Sequence, residues 1–309
     1  MHDAPLISPE NKDTGVEVLA GLPKVTLYQE LPSTAASPAE LRSATRAAVE
    51  ALAADHVLYA ELCLRPEAYG FPAEEALDAA VAGAKVPGIE AAIILTANAQ
   101  GGRAEELAQL SADPRVAGFM LDATDARGAE LEDLSSGLRA SFVPWQVLAG
   151  DFAGIEAAVT AGAQRLVRPV DLIDDFSADL EGVRPGRVSV WVRDRHLAVT
   201  MCPLWDANED LDLSDHPLPL LQQLGFTCSI ASGQAEAGSL TEQFVALSET
   251  FGYGLEEFFD LTVKAVENSF MNEEDRQRLL EEEILPAYEK LADAEFAEDE
   301  HREELDADD

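Results

Sequence analysis

The sequence predicts an α/β fold: a single (β/α)8 barrel, or TIM barrel, with extra C-terminal helices. Short apolar runs rich in β-branched residues alternate eight times with Ala-, Leu- and Glu-rich stretches of helical pattern. Most of the apolar runs are hydrophobic on both faces, which is typical of parallel strands covered by helices. The length, 309 residues, is usual for one such barrel with additional helices.

The eight apolar runs predict eight strands, each followed by a helical segment. The segment Ser37–Ala54 has a helix start signal, because Ser37 can cap the helix and Pro38 suits its first turn. Ala73–Lys85 is a second clear helical segment. The predicted strands are Lys24–Leu31, Val57–Arg65, Ile89–Ala97, Val116–Asp122, Ser141–Leu148, Arg165–Val170, Leu197–Cys202 and Phe226–Ser232.

No internal repeat and no linker rich in Gly, Ser or Pro divides the chain, so the sequence predicts one domain. The predicted boundaries are an N-terminal extension at residues 1–22, the barrel at 23–296 and an acidic tail at 297–309. From Glu273 to Asp309, seventeen carboxylates face four Lys and Arg. We interpret this end as a solvated acidic tail, and the alternative is a segment that docks a basic partner.

The formal net charge of −38 restricts the function classes. Such a surface repels nucleic acid and anionic membranes, so neither is an expected partner. No run approaches the roughly 18 apolar residues of a membrane span, and the N-terminus lacks a secretory pattern. Three scattered cysteines are typical of reduced thiols, which favours a cytoplasmic location. The sequence makes no prediction of the oligomeric state.

In a barrel of this kind, the chemistry lies at the C-terminal ends of the strands. Five strand ends and one strand interior carry recognisable motifs. They are Pro23-Lys24-Val25-Thr26-Leu27-Tyr28-Gln29-Glu30-Leu31, then Tyr59, Glu61, Cys63 and Pro66, then Leu148-Ala149-Gly150-Asp151, Arg165-Leu166-Val167-Arg168-Pro169, Cys202-Pro203, and Ser229-Ile230-Ala231-Ser232-Gly233-Gln234. In this order they resemble the adenosine deaminase family of metal-dependent barrels, over roughly residues 22–291.

The resemblance implies that the zinc site of that family is lost in this chain. The family holds its zinc with two first-strand histidines, one fifth-strand histidine and one eighth-strand aspartate. The corresponding residues here are Tyr28, Glu30, Leu148 and Gly233. Zinc needs roughly three or four N, S or O ligands, and only Glu30 offers one. We therefore expect no metal and no other cofactor.

Two further family positions are altered. The proton-shuttling glutamate of the family corresponds to Asp151, a weak catalytic candidate, and its sixth-strand histidine corresponds to Arg168. We expect Arg168 to lie between Glu30 and Asp151 in the barrel mouth, as a structural ion cluster. The alternatives are a site for a small polar or anionic ligand, or retained catalysis. Glu61 is expected to make a barrel contact, and a chemical role is its alternative. The candidates for lining the pocket or binding a ligand are Tyr28, Glu30, Glu61, Leu148, Asp151, Arg168, Gly233 and Gln234.

Three functions are compatible with the sequence. The first is a metal-free pseudoenzyme with a binding or regulatory role. The second is a zinc-independent hydrolase of altered chemistry that uses Asp151, Glu30 and Arg168. The third is an ordinary purine nucleoside deaminase acting on adenosine or adenine, which would need histidines at strand ends. The five histidines all lie away from the predicted site, and His216 is expected to precede a helix.

Overall fold

The computed structural model describes residues 12–99, 102–124, 129–180, 182–207 and 211–292. Eight parallel strands form one sheet in the order β1-β2-β3-β4-β5-β6-β9-β10, and a two-stranded antiparallel hairpin, β7–β8, lies outside it. The strands are β1 (Lys24–Glu30), β2 (Val57–Leu64), β3 (Glu90–Asn98), β4 (Val116–Ala123), β5 (Trp145–Ala149), β6 (Arg165–Val167), β7 (Phe176–Asp179), β8 (Gly182–Pro185), β9 (Ala198–Met201) and β10 (Cys228–Ile230).

The sheet closes into a barrel between its first and last strands. Just after β10, the amide of Gly233 donates to the Tyr28 carbonyl at 2.9 Å, and the Glu30 amide donates to the Gly233 carbonyl at 2.8 Å. Below this bridge the Thr26 and Ser232 hydroxyls lie 2.9 Å apart. The predicted (β/α)8 barrel is therefore confirmed.

Helices follow the strands and cover the outside of the barrel. The helix predicted from Ser37 begins as expected, because the Ser37 hydroxyl accepts a hydrogen bond from the Glu40 amide at 3.3 Å. The helices are α1 (Lys12–Gly21), α2 (Pro38–Ala54), α3 (Ala73–Gly83), α4 (Ala104–Leu110), α5 (Ala129–Ala140), α6 (Phe152–Ala161), α7 (Arg187–Asp194), α8 (Pro203–Asp206), α9 (Leu218–Gln223), α10 (Leu240–Phe251), α11 (Leu255–Glu267) and α12 (Glu273–Leu279).

The additional C-terminal helices are present as α10, α11 and α12, all of which follow β10. At the other end of the chain, α1 packs against α10, and the Lys12 ammonium lies 2.5 Å from a Glu249 carboxylate oxygen. The predicted acidic tail, 297–309, lies outside the described residues. No described helix is long and apolar enough to cross a membrane.

Three local features differ from the predicted elements. Strand β5 begins at Trp145 and not at Ser141, because α5 runs to Ala140 and Phe142 turns the chain with a φ of 55°. Strand β6 ends at Val167 because Arg168 has a φ of 50°, which no strand continues through. The sequence does not predict the β7–β8 hairpin, since its exposed, mixed residues lack a clear apolar alternation.

Candidate functional site

The barrel interior contains two layers of side chains of opposite character. Alternate residues of a strand face the same side, so inward-facing residues of all eight strands meet on the barrel axis. Nearer the start of the strands lies a polar layer of Glu61, Gln146 and Arg165, all fully buried. Towards the mouth lies an apolar layer, formed by Tyr28, Cys63, Ile94, Met120, Val167, Cys202 and Ala231.

The polar layer is a closed hydrogen-bond network. Arg165 forms an ion pair with Glu61 in which neither side chain is exposed, and its Nε donates to Gln146 at 2.7 Å. The remaining guanidinium nitrogen donates to the Asn268 carbonyl at 3.0 Å. Glu61 also accepts from the Phe270 amide at 2.6 Å, and the Phe270 ring lies 4.2 Å from the guanidinium carbon. Glu61 therefore holds the C-terminal segment to the barrel and does not reach the mouth.

At the mouth, Tyr28 and Glu30 face inward from β1. The buried Tyr28 hydroxyl donates to Glu30 at 2.7 Å, and Gln234 donates to the other carboxylate oxygen at 3.1 Å. Burial, together with the charge of Glu30, raises the pKa of Tyr28 far above its usual value. Tyr28 thus stays a neutral donor to Glu30.

The space beside Gly233 is filled by Trp205, which the sequence analysis did not single out. The Trp205 ring stacks on Tyr28, with centroids 5.9 Å apart and planes 7° apart. A Cβ atom added at Gly233 would lie 2.5 Å from Trp205, and the glycine has a φ of 72°. An aspartate at this position therefore cannot be accommodated unless Trp205 moves.

The residues at the four expected ligand positions do not fit a zinc ion. Tyr28 is held as a neutral donor, Leu148 packs against the apolar layer, and Gly233 has no side chain. Across the described ranges, no group of three His, Cys, Asp or Glu side chains is arranged to hold a metal ion. Of the four expected positions, only Glu30 offers a ligand atom, and roughly three or four are needed.

The expected ion cluster of Arg168 with Glu30 and Asp151 is wrong. The Arg168 Nε donates instead to Asp206 at 2.6 Å, and its guanidinium carbon lies 4.0 Å from the Trp205 ring centroid. Asp206 is fully buried, and it also accepts from the Cys202 amide at 2.8 Å. The left-handed backbone at Arg168 redirects the side chain towards α8, and the sequence could not reveal this turn.

Asp206 has a second side-chain partner in His216. The His216 Nε2 lies 3.3 Å from a carboxylate oxygen of Asp206, and both side chains are fully buried. His216 precedes α9, as the sequence analysis expected. The sequence analysis missed Asp206, although its position shortly after the end of β9 is one where mouth residues are found.

Asp151 lies outside the mouth network. It is exposed and caps α6, because its carboxylate accepts from the Gly154 amide at 2.7 Å. Its φ of −156° and ψ of 174° are the extended values typical of a helix cap. The cap explains why a short acidic residue suits this position, and it leaves the weak catalytic assignment of Asp151 without support from its contacts.

A cleft of about 330 Å³ opens at the mouth beside Glu30. Cys63 and Met120 of the apolar layer line it, and residues 30–34, Gln234 and Glu236 form one side. The sequence analysis missed Arg65, which also lines the cleft and pairs with Asp122 at 2.8 Å. Strand alternation could have found Arg65, since it lies two residues beyond the inward-facing Cys63.

Comparison with known proteins identifies the family of this fold and site. The adenosine deaminase family model matches residues 23–285. Adenosine deaminase of Mycolicibacterium vanbaalenii is 28% identical over 283 residues, covering 82% of this chain and 77% of that protein. Adenosine deaminase of Mycobacterium ulcerans is 29% identical over 272 residues, covering 78% and 74%.

Solved structures show the same fold at lower sequence identity. A zinc-bound amidohydrolase from Burkholderia ambifaria superposes with a TM-score of 0.79 at 17% identity, covering 94% of this chain and 96% of that one. An adenine deaminase from Arthrobacter aurescens gives 0.72 at 18% identity, with coverages of 93% and 90%. The N6-methyl-AMP deaminase of Arabidopsis thaliana gives 0.72 at 14% identity, with coverages of 85% and 96%.

Proposed function

Because the chain belongs to the adenosine deaminase family, we propose that it is a metal-free member of that family, a pseudoenzyme with a binding or regulatory role. One observation carries the proposal: the positions expected to hold zinc are filled by packing. Trp205 occupies the space beside Gly233 and stacks on Tyr28, and Leu148 packs against the same apolar layer. A metal-activated water needs an open, polar coordination site.

The two alternative functions have less support. A zinc-independent hydrolase would use Asp151, Glu30 and Arg168 together, but Asp151 caps α6 and Arg168 pairs with Asp206. A purine deaminase is supported by the names of the relatives, which are adenosine deaminases. Its chemistry would need a zinc-bound water, and of the four expected ligand positions only Glu30 carries a ligand atom.

The decisive experiment measures metal content and deamination on the same preparation. Protein is purified with and without added zinc, and its zinc is determined by elemental analysis. Ammonia release is followed with adenosine and adenine, and methylamine release with N6-methyl-AMP. We expect far less than one zinc per chain, and neither ammonia nor methylamine above the buffer rate. About one zinc per chain, with deamination that stops on chelation, would refute the proposal.

Glu30 provides a control for any zinc that is found. Glu30→Gln removes the one carboxylate at the four expected ligand positions but keeps an acceptor for the Tyr28 hydroxyl. Zinc that remains in this variant is bound elsewhere on the acidic surface. Zinc that disappears, together with a deaminase activity, would place the metal at the mouth and contradict the metal-free assignment.

A further inference from the structure

We propose that the cleft beside Glu30 binds a small organic cation that carries an ammonium or guanidinium group. The inference rests on the proposed function, because a metal ion at the mouth would occupy the same carboxylate. The cleft, about 330 Å³, is at the small end of ligand-binding cavities. Its ligand class follows from the acceptors, the charges and the apolar floor that line it.

The cleft offers acceptor atoms to a ligand. Each oxygen of Glu30 accepts one hydrogen bond, from Tyr28 and from Gln234, and a carboxylate oxygen can accept a second. Because Gln234 uses its amide nitrogen for Glu30, its carbonyl oxygen is the atom left to accept. These acceptors suit a ligand that brings several N–H donors, as ammonium and guanidinium groups do.

A buried hydroxyl inside the cleft lacks a strong partner. Thr96 is 1% exposed and lines the cleft, and its Oγ1 has no oxygen or nitrogen partner; its polar neighbour is the Cys63 thiol. The neighbouring Cys63 offers only a weakly polar thiol, which stays neutral because burial raises its pKa far above the usual value. Leaving a buried hydroxyl unsatisfied costs free energy, which a ligand donor in the cleft would recover. This unsatisfied acceptor distinguishes the cleft from an ordinary acidic surface.

The charges at the cleft favour a cation over an anion. Arg65 is the cationic side chain that lines it, and its charge is offset by Asp122 at 2.8 Å. Glu30 and Glu236 remain, within a chain of formal charge −38. Carboxylates that line a concave site focus the field and attract cations. The anionic ligand that the sequence left open is therefore disfavoured.

The apolar floor of the cleft indicates the chemistry of the uncharged part of the ligand. Cys63 and Met120 present neutral sulfur and methylene groups at the bottom of the cleft. A short alkyl chain packs well against such polarisable groups. The structure thus favours a cationic head at Glu30 and a short hydrocarbon stem over Met120.

The test uses agmatine and putrescine as cationic probes, with inorganic phosphate and 1,4-butanediol as anionic and neutral controls. Titration calorimetry on the full chain at low and high salt measures affinity and stoichiometry. We expect one cation per chain, weaker binding at high salt, and no binding of either control. Failure of both cations to bind, or tighter binding of phosphate, would overturn the inference.

Two variants separate the cleft from the general acidic surface. Glu30→Gln should weaken cation binding at least about tenfold, or ~1.4 kcal/mol. Glu282→Gln makes the same charge change at an exposed residue shortly after α12 and should leave affinity unchanged. Equal losses in both variants would mean that the cations bind only the diffuse surface charge, and would refute the cleft.

Thr96→Val tests the unsatisfied hydroxyl independently of charge. It removes the unpaired oxygen at nearly constant shape, so the free protein should melt at a higher temperature while its affinity for the cation falls. An unchanged affinity would contradict the role of Thr96. Zinc and deaminase assays on the same preparations distinguish this inference from the proposed function. If the protein is metal-free and inactive but binds neither cation, only this inference is refuted.

Discussion

The polar layer and the mouth of the barrel differ in how deeply their polar groups are buried and in how many hydrogen-bond partners these groups have. In the polar layer, Glu61 and Arg165 are fully buried and each has several partners. Around the mouth, Trp205 and Leu148 pack against the apolar layer, and Arg168 remains 21% exposed. The comparison teaches that hydrogen bonds and an ion pair hold the buried polar layer together, whereas apolar packing occupies the mouth.

Removing Arg165 should have the largest effect on stability. Arg165→Met leaves the Glu61 carboxylate buried without its cation, so the free energy of unfolding should fall by about 3–5 kcal/mol. Denaturant melts measure the change. The matched control is Arg103→Met, which breaks an exposed pair with Glu106 and should cost less than about 1 kcal/mol. Equal losses in the two variants would erase the contrast between buried and exposed pairs.

Shortening Trp205 should have the next largest effect. Trp205→Ala removes the ring that contacts Tyr28, Gly233 and Arg168, and partial burial suggests a loss of about 2–3 kcal/mol. Trp191→Ala, at a ring that is 49% exposed, should stay within about 0.5 kcal/mol of the parent. Thermal or denaturant melts that rank the two tryptophans in the opposite order would show that the mouth is not packed as described.

Arg168 should contribute less than Arg165 to the free energy of unfolding. Arg168→Met removes one donor from buried Asp206, which keeps the Cys202 amide and His216, so we expect a loss of about 2 kcal/mol. Arg168→Lys should recover only part of it, because an ammonium lacks the planar contact with Trp205. If Arg168→Met melts like the parent, the Cys202 amide and His216 are together sufficient to satisfy Asp206.

Substitution of Asp151 should have the smallest effect on stability. Asp151→Ala removes the cap of α6 and should cost about 1 kcal/mol, whereas Asp151→Asn keeps a capping oxygen and should cost less. Both are measured by denaturant melts. A cost well above that of Arg168→Met would indicate that Asp151 has a role in the mouth beyond its helix.

The sequence predicted the positions of the strands, which follow from the pattern of apolar residues. It did not predict side-chain directions that a single backbone angle sets. The succession of apolar runs and helical segments located all eight barrel strands, and the resemblance to the adenosine deaminase family singled out Tyr28, Glu30 and Glu61 on them. It placed Arg168 at the correct strand end but with the wrong partners, because a φ of 50° turns it towards Asp206. The position of Trp205 could not be predicted, because it depends on the short helix α8 folding back over the mouth.

The contact between Trp205 and Gly233 fixes the order in which a zinc site could be rebuilt. Gly233→Asp made first would push its Cβ into the Trp205 ring in a backbone conformation that favours glycine. Trp205 must therefore be shortened before the aspartate is introduced, and changing Tyr28, Glu30 and Leu148 to histidine brings a benefit only after that. Every early step loses stability before any ligand gains a metal. On the proposed metal-free function, the zinc site of the family would for this reason be difficult to regain, by natural mutation as well as by protein engineering.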